Sequence, residues 1–156
     1  MNILFVCMGN VSRSFLAEML LKKELGLSNK DKFSISSAGL SAFPGSPPDI
    51  QMVSYLKKMG LSAEGHRSSQ ITKEDVDLAD LILVMEKYHA SKLQNQWPDT
   101  KGKVELLTKY LPGGQFADDI PDAFGRSPYH YRLAQSQITL AIKSLAKKLI
   151  SNSPKG

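Results

Sequence analysis

The sequence predicts an α/β fold: one domain over residues 1–156, a three-layer αβα sandwich around a four-stranded parallel sheet, with a phosphate-binding loop after the first strand. Two observations predict it. Short apolar runs alternate with longer segments of helical periodicity, an order that places parallel strands between two layers of helices. The first apolar run also leads into the loop Cys7-Met-Gly-Asn-Val-Ser-Arg13-Ser14, which opens a helix. Backbone N–H groups in a loop that ends on a helix N-terminus form a concave anion site.

The elements follow in order along the chain. Ile3–Val6 is short and apolar and reads as a buried strand. Ser14–Leu25 is rich in helix formers and stops at Gly26. Lys32–Ser37 alternates apolar and polar residues, a second strand, with a turn expected at Ala38-Gly39 and a proline-rich loop over Ser41–Pro48. Asp49–Met59 is helical and Gly60 closes it. Ile71–Asp75 reads as a short capped helix, with Thr72 as N-cap and Asp75 three residues on. Leu81–Met85 is a third, almost wholly apolar strand; Glu86–Gln96 is helical; Val104–Leu107 is a fourth strand. Leu111–Pro128 is irregular, and Tyr129–Ile150 is a long amphipathic helix whose buried face is expected to carry Leu133, Ile138, Ala141, Ile142, Leu145 and Leu149.

Composition narrows the function. The net charge of +5 comes from scattered Lys and Arg rather than a basic stripe interleaved with aromatics, so nucleic-acid binding is not expected. No apolar run approaches membrane-spanning length, and the first apolar stretch is too short for a signal peptide and lacks a basic leader. A cytoplasmic monomer is expected. The single cysteine excludes an internal disulfide. No Cys/His spacing suits zinc, the loop lacks the Lys-Ser/Thr of a nucleotide-binding loop, and no cofactor or metal is expected.

The loop has the residues that phosphoryl transfer to sulfur needs. Cys7 is the candidate nucleophile; attack requires a thiolate, which helix N-termini and nearby cations favour. Arg13 supplies a planar fork for the equatorial phosphoryl oxygens. Gly9 lets backbone approach the phosphate, Asn10 tolerates left-handed dihedrals, and Ser14 can hydrogen-bond the sulfur. Asp122, in Asp118-Asp-Ile-Pro-Asp-Ala-Phe124, is the candidate acid for the leaving group and base for the attacking water. Taken singly these residues say little: a lone Cys is most often a small buried hydrophobe, and a lone Asp in a loop a turn residue.

Together they resemble a known family, the low-molecular-weight protein tyrosine phosphatases. Val6-Cys7, Gly9-Asn10 and Arg13-Ser14 resemble its N-terminal signature, continued by Ala17-Glu18; Ser37-Ala38-Gly39, His66–Ile71 and Asp80–Met85 resemble further blocks; Ile120-Pro121-Asp122 resembles its acid loop. The resemblance implies a tyrosine phosphatase acting through a phosphocysteine, on a phosphotyrosine-bearing protein or small aryl phosphate, with inorganic phosphate as product. It implies Cys7, Arg13 and Asp122 as catalytic residues. Substrate binding would fall to Met8, Gly9, Asn10, Val11, Ser12, Ser14, Phe43 and Phe124, with Ser37 and His66 in a supporting network. His89 and His130 read as surface residues. Three positions depart from the pattern. Ser12 stands for a second cysteine, removing a disulfide switch; Phe15 stands for a proline, which should loosen the loop; Ala123 stands for another, which should aim the acid less well.

Other readings stay open. Some relatives act on phosphoarginine, although an apolar Val11 suits an aryl ring better than a guanidinium. A catalytically weak phosphate- or phosphotyrosine-binding protein would bind without turnover. Arsenate reduction, which resembles this chemistry but relays oxidation along several cysteines, ranks below both.

Overall fold

The computed structural model describes residues 1–113 and 118–153. Four strands, β1 (Asn2–Cys7), β2 (Ser34–Gly39), β3 (Leu81–Val84) and β4 (Val104–Leu106), form one sheet in the order β2-β1-β3-β4 with every pair parallel. The chain therefore moves outward from β1 in both directions, and the crevice at the carboxyl end between β1 and β3 is the topological switch point. The loop carrying Cys7 leaves β1 at that crevice.

Among the described residues five α-helices cover the sheet: α1 (Arg13–Leu25), α2 (Ile50–Lys57), α3 (Lys73–Leu78), α4 (Lys87–Gln96) and α5 (Pro128–Asn152). The two-residue period of β1 divides the core. Ile3, Phe5 and Cys7 point to one side and pack with Phe15, Leu16, Ile138 and Ile142 of α1 and α5. Leu4 and Val6 point to the other and pack with Val76 of α3 and Leu93 of α4. That is the three-layer sandwich expected. No helix among the described residues is long and apolar enough to cross a membrane.

Several boundaries and burials differ from the sequence reading. β2 begins at Ser34 and runs through Ala38-Gly39, because pairing with β1 continues to Cys7↔Gly39 and overrides the local turn signal. Asp49 is the N-cap of α2 rather than its first residue, its carboxylate accepting from the Gln51 N–H at 2.9 Å. α3 starts at the expected Thr72–Asp75 capping box but extends to Leu78. β4 stops at Leu106, where a 3₁₀ turn over Leu107–Tyr110 begins. On α5, Leu133 is 42% exposed; Tyr131 and Ala134, seven and four residues before Ile138, take the inner face. His130 is half-buried, and His89, read as a surface residue, is fully buried on the inner side of α4. Part of the expected irregular stretch Leu111–Pro128, residues 114–117, lies outside the described residues.

Candidate active site

The loop is held by the residues that follow β2. Leu40 and Ser41 N–H groups donate to the carbonyls of Cys7 and Met8, both at 2.9 Å. Asn10 turns the chain with φ 58°, the left-handed conformation that asparagine tolerates among non-glycine residues. The backbone N–H groups of Gly9–Ser14 donate to no atom among the described residues, and α1 begins without a side-chain cap at Ser12. Unpaired amides gathered at the start of a helix are the electrostatic requirement of an anion site.

A buried relay fixes the sulfur. The Ser69 N–H donates to Asn10 Oδ1 at 3.0 Å, which sets the orientation of the Asn10 amide. Its Nδ2 then donates to both Ser14 Oγ (2.9 Å) and Ser37 Oγ (2.8 Å). Ser14 is thereby an acceptor from Asn10, and its own proton is free for the Cys7 sulfur 3.0 Å away. Ser37 Oγ donates a hydrogen bond to Glu18 Oε1, and His66 Nε2 donates to the Asn10 carbonyl at 2.7 Å.

Arg13 is 2% exposed. Its Nη1 donates to Glu86 Oε2 at 2.6 Å and to the Ile120 carbonyl at 2.7 Å. Nε and Nη2 make no hydrogen bond among the described residues, so the guanidinium is anchored by one nitrogen and presents the other two as a fork. Glu86 follows β3, and Ile120 is tied back to it, its N–H donating to the Met85 carbonyl at 2.8 Å. Asp119 Oδ1 accepts from the Lys87 N–H, also at 2.8 Å. The clamp and the segment leading to Asp122 thus share one bracket.

Asp122 is exposed, and its Oδ1 accepts from the Phe124 N–H at 3.0 Å. This local turn orients the carboxyl group without the proline that Ala123 replaces; Ala123 itself is buried in the core. An open cleft of about 780 Å³ runs beside the loop, lined by Gly9, Val11, Phe43 and Phe124 together with Asp49 and Tyr131. Phe43 is 84% exposed, a rim rather than a deep wall. Met8 packs against the Leu4–Val6 side of the core and does not line the cleft. Ser12 turns its hydroxyl to Asp49 Oδ2 at 3.0 Å, an oxygen that also accepts from Tyr131 at 2.9 Å. Phe15 is buried in the first turn of α1 with its ring stacked on His66 at 4.4 Å, a packing tie that a proline would not make.

Sequence reasoning passed over Glu86, the Ile120 carbonyl, Asp49, Ser69 and Tyr131. Only Glu86 carried a signal, an acidic residue just past the strand that borders the switch point. Among the described residues no group of three or more His, Cys, Asp and Glu could hold a metal ion.

The family model described as Low molecular weight phosphotyrosine protein phosphatase matches residues 2–155. The chain belongs to this family. Like its relatives in the low-molecular-weight phosphatase family it is a cysteine-based phosphatase. The protein-arginine-phosphatase of Geobacillus stearothermophilus is 35% identical to it over 148 residues, 95% of each chain. The low molecular weight phosphotyrosine protein phosphatase of Rattus norvegicus is 33% identical over 152 residues, 94% of each. A structure of the YwlE arginine phosphatase, a Cys-to-Ser mutant with a phosphorylated active-site serine, superposes with a TM-score of 0.85 at 30% identity over 97% of each chain.

Proposed function

We propose that this phosphatase removes phosphate from phosphoarginine in proteins through a phosphocysteine intermediate. The Cys7 thiolate attacks phosphorus in line with the leaving group. The P–N bond breaks, its electron pair stays on the guanidine nitrogen, and Asp122 protonates that nitrogen. Arg13 and the amides of Gly9–Ser14 hold the three equatorial oxygens as their charge develops. Asp122, now a carboxylate, takes a proton from water. The resulting hydroxide attacks phosphorus, the P–S bond breaks, and inorganic phosphate leaves with the thiolate restored.

The observation that carries the choice of substrate is the end-to-end likeness to a protein-arginine-phosphatase. The phosphorylated serine of the solved YwlE mutant supports covalent transfer to the residue in that place. The cleft is compatible, since a planar guanidinium stacks on aromatic faces such as those of Phe43 and Phe124. The same two rings and the apolar Val11 favour a second reading, phosphotyrosine, by stacking on a phenyl ring.

The test is hydrolysis of matched phosphoarginine and phosphotyrosine peptides, with chelator present and Cys7→Ser as control. The proposal expects kcat/KM for phosphoarginine at least about tenfold higher, a difference of ~1.4 kcal/mol in transition-state binding. A reversed ratio establishes the tyrosine reading. No turnover of either by folded, reduced protein that still binds inorganic phosphate favours the binding-protein reading. Asp122→Asn should depress turnover about 10²–10⁴-fold for substrates with poor leaving groups and much less for good ones.

A further inference from the structure

We propose that His89 is a positioning residue for the phosphate clamp, acting through Glu86 to hold Arg13 with its free fork toward the loop. The proposal rests on the phosphatase reading of the site but not on the choice of substrate.

His89 lies one helical turn after Glu86 and has no solvent exposure. Its Nδ1 accepts from the Glu86 backbone N–H at 3.2 Å. A neutral imidazole that accepts at Nδ1 carries its proton on Nε2. That Nε2–H has no aligned partner among the described residues, yet it sits 3.3 Å from Glu86 Oε2. The same oxygen takes Arg13 Nη1 at 2.6 Å. One carboxylate oxygen thus holds the cationic Arg13 and has the neutral ring N–H of His89 lying beside it.

The neutrality matters. Burial and the neighbouring Arg13 charge take His89 from its ordinary 6.5 down to about 4, so near pH 7 the ring is not a second cation competing for Glu86. Glu86 is partly exposed and its side chain has rotamer freedom of its own. A buried ring fixed by a backbone hydrogen bond on one edge and facing the carboxylate with the other restricts that freedom. Arg13 Nη1 also holds the Ile120 carbonyl. A wandering Glu86 would therefore disturb the clamp and the approach to Asp122 together.

The two ring nitrogens can be separated by substitution. Asn places its amide oxygen near the position of Nδ1 and keeps the cap, but it cannot reach Glu86 Oε2. Gln places an amide N–H near the position of Nε2 and loses the cap. Binding of inorganic phosphate, measured by calorimetry on the reduced protein, reads the clamp without reference to the leaving group. His89→Asn is expected to unfold earlier than wild type, since a buried ring is replaced by a smaller side chain, and to bind phosphate about tenfold more weakly, because Glu86 Oε2 loses the ring N–H beside it. His89→Gln is expected to unfold earlier but to bind phosphate within about twofold of wild type. In a Glu86→Gln background the His89→Asn loss should vanish, because the two act in series. Phosphate affinity unchanged in His89→Asn, or the same loss with and without Glu86, overturns the proposal and leaves the phosphatase reading standing. A wild-type protein that binds no phosphate overturns both.

Discussion

A methyl group on Gly39 would meet the Met8 carbonyl oxygen at 2.6 Å, Ala42 Cβ at 2.9 Å and the Asn10 backbone nitrogen at 3.1 Å. Two of these three are main-chain atoms of the active loop, so they cannot swing aside as a side chain would. The glycine is needed for close approach rather than for its dihedral angles. Gly39→Ala is expected to cost about 1–3 kcal/mol in urea unfolding, as overpacking does. It should also lower kcat by at least about tenfold, since displacing reacting groups by about 1 Å costs up to about 10². Wild-type turnover in this variant would show that β2 does not set the loop. His89 makes a prediction of opposite character. Its folded-state pKa of about 4 lies below the ordinary 6.5, so the unfolded chain binds the proton more readily. The stability this contributes is present in full above about 6.5, falls as pH drops, and is gone below about 4, with a ceiling of about 3 kcal/mol. Urea midpoints between pH 7 and pH 4 should decline more steeply for wild type than for His89→Asn; parallel profiles would contradict the burial argument.

The helix starts were the most legible features of the elements. Thr72 and Asp75 form the capping box that their spacing announced, with hydrogen bonds of 3.2 and 3.0 Å. Thr72→Ala should destabilise by about 1 kcal/mol and leave kcat unchanged, because α3 packs on the Leu4–Val6 side of the sheet and takes no part in the loop. A fall in turnover would contradict that placement. The junction of α2 and α5 was not legible. Tyr131 donates to Asp49 Oδ2 across 82 residues of sequence, and no local pattern reports such a pair. Burial and the Asp49 carboxylate push the Tyr131 phenol up to about 12, so it remains a donor at every ordinary pH. Tyr131→Phe is expected to cost about 1.5–3 kcal/mol, since a partly satisfied buried carboxylate remains. Leu133 failed for a related reason. A helix 25 residues long carries apolar residues on more than one face, and only the position of the sheet selects Tyr131 and Ala134 instead.

Across the whole molecule, β1 ties the two core clusters together by contributing alternate residues to each. Ile138→Ala in one cluster and Ile82→Ala in the other should each cost about 2–5 kcal/mol and add in the double variant, being on opposite sides of the sheet. Both should unfold in a single transition with coincident probes, as expected for one domain of this size; separate transitions would mean that the layers fold independently. The alternation of strands and helices, the thiol and guanidinium of the loop, and membership of the phosphatase family could all be read along the chain, because each signal lies in residues close in sequence. Which oxygens hold Arg13 could not. Glu86 and Ile120 are 73 and 107 residues from it, and they reach it only because the strand order sets β3 beside β1 at the crevice. The burial of His89 belongs with these, since a histidine pattern in an otherwise polar helix carries no sign of the face the sheet will cover.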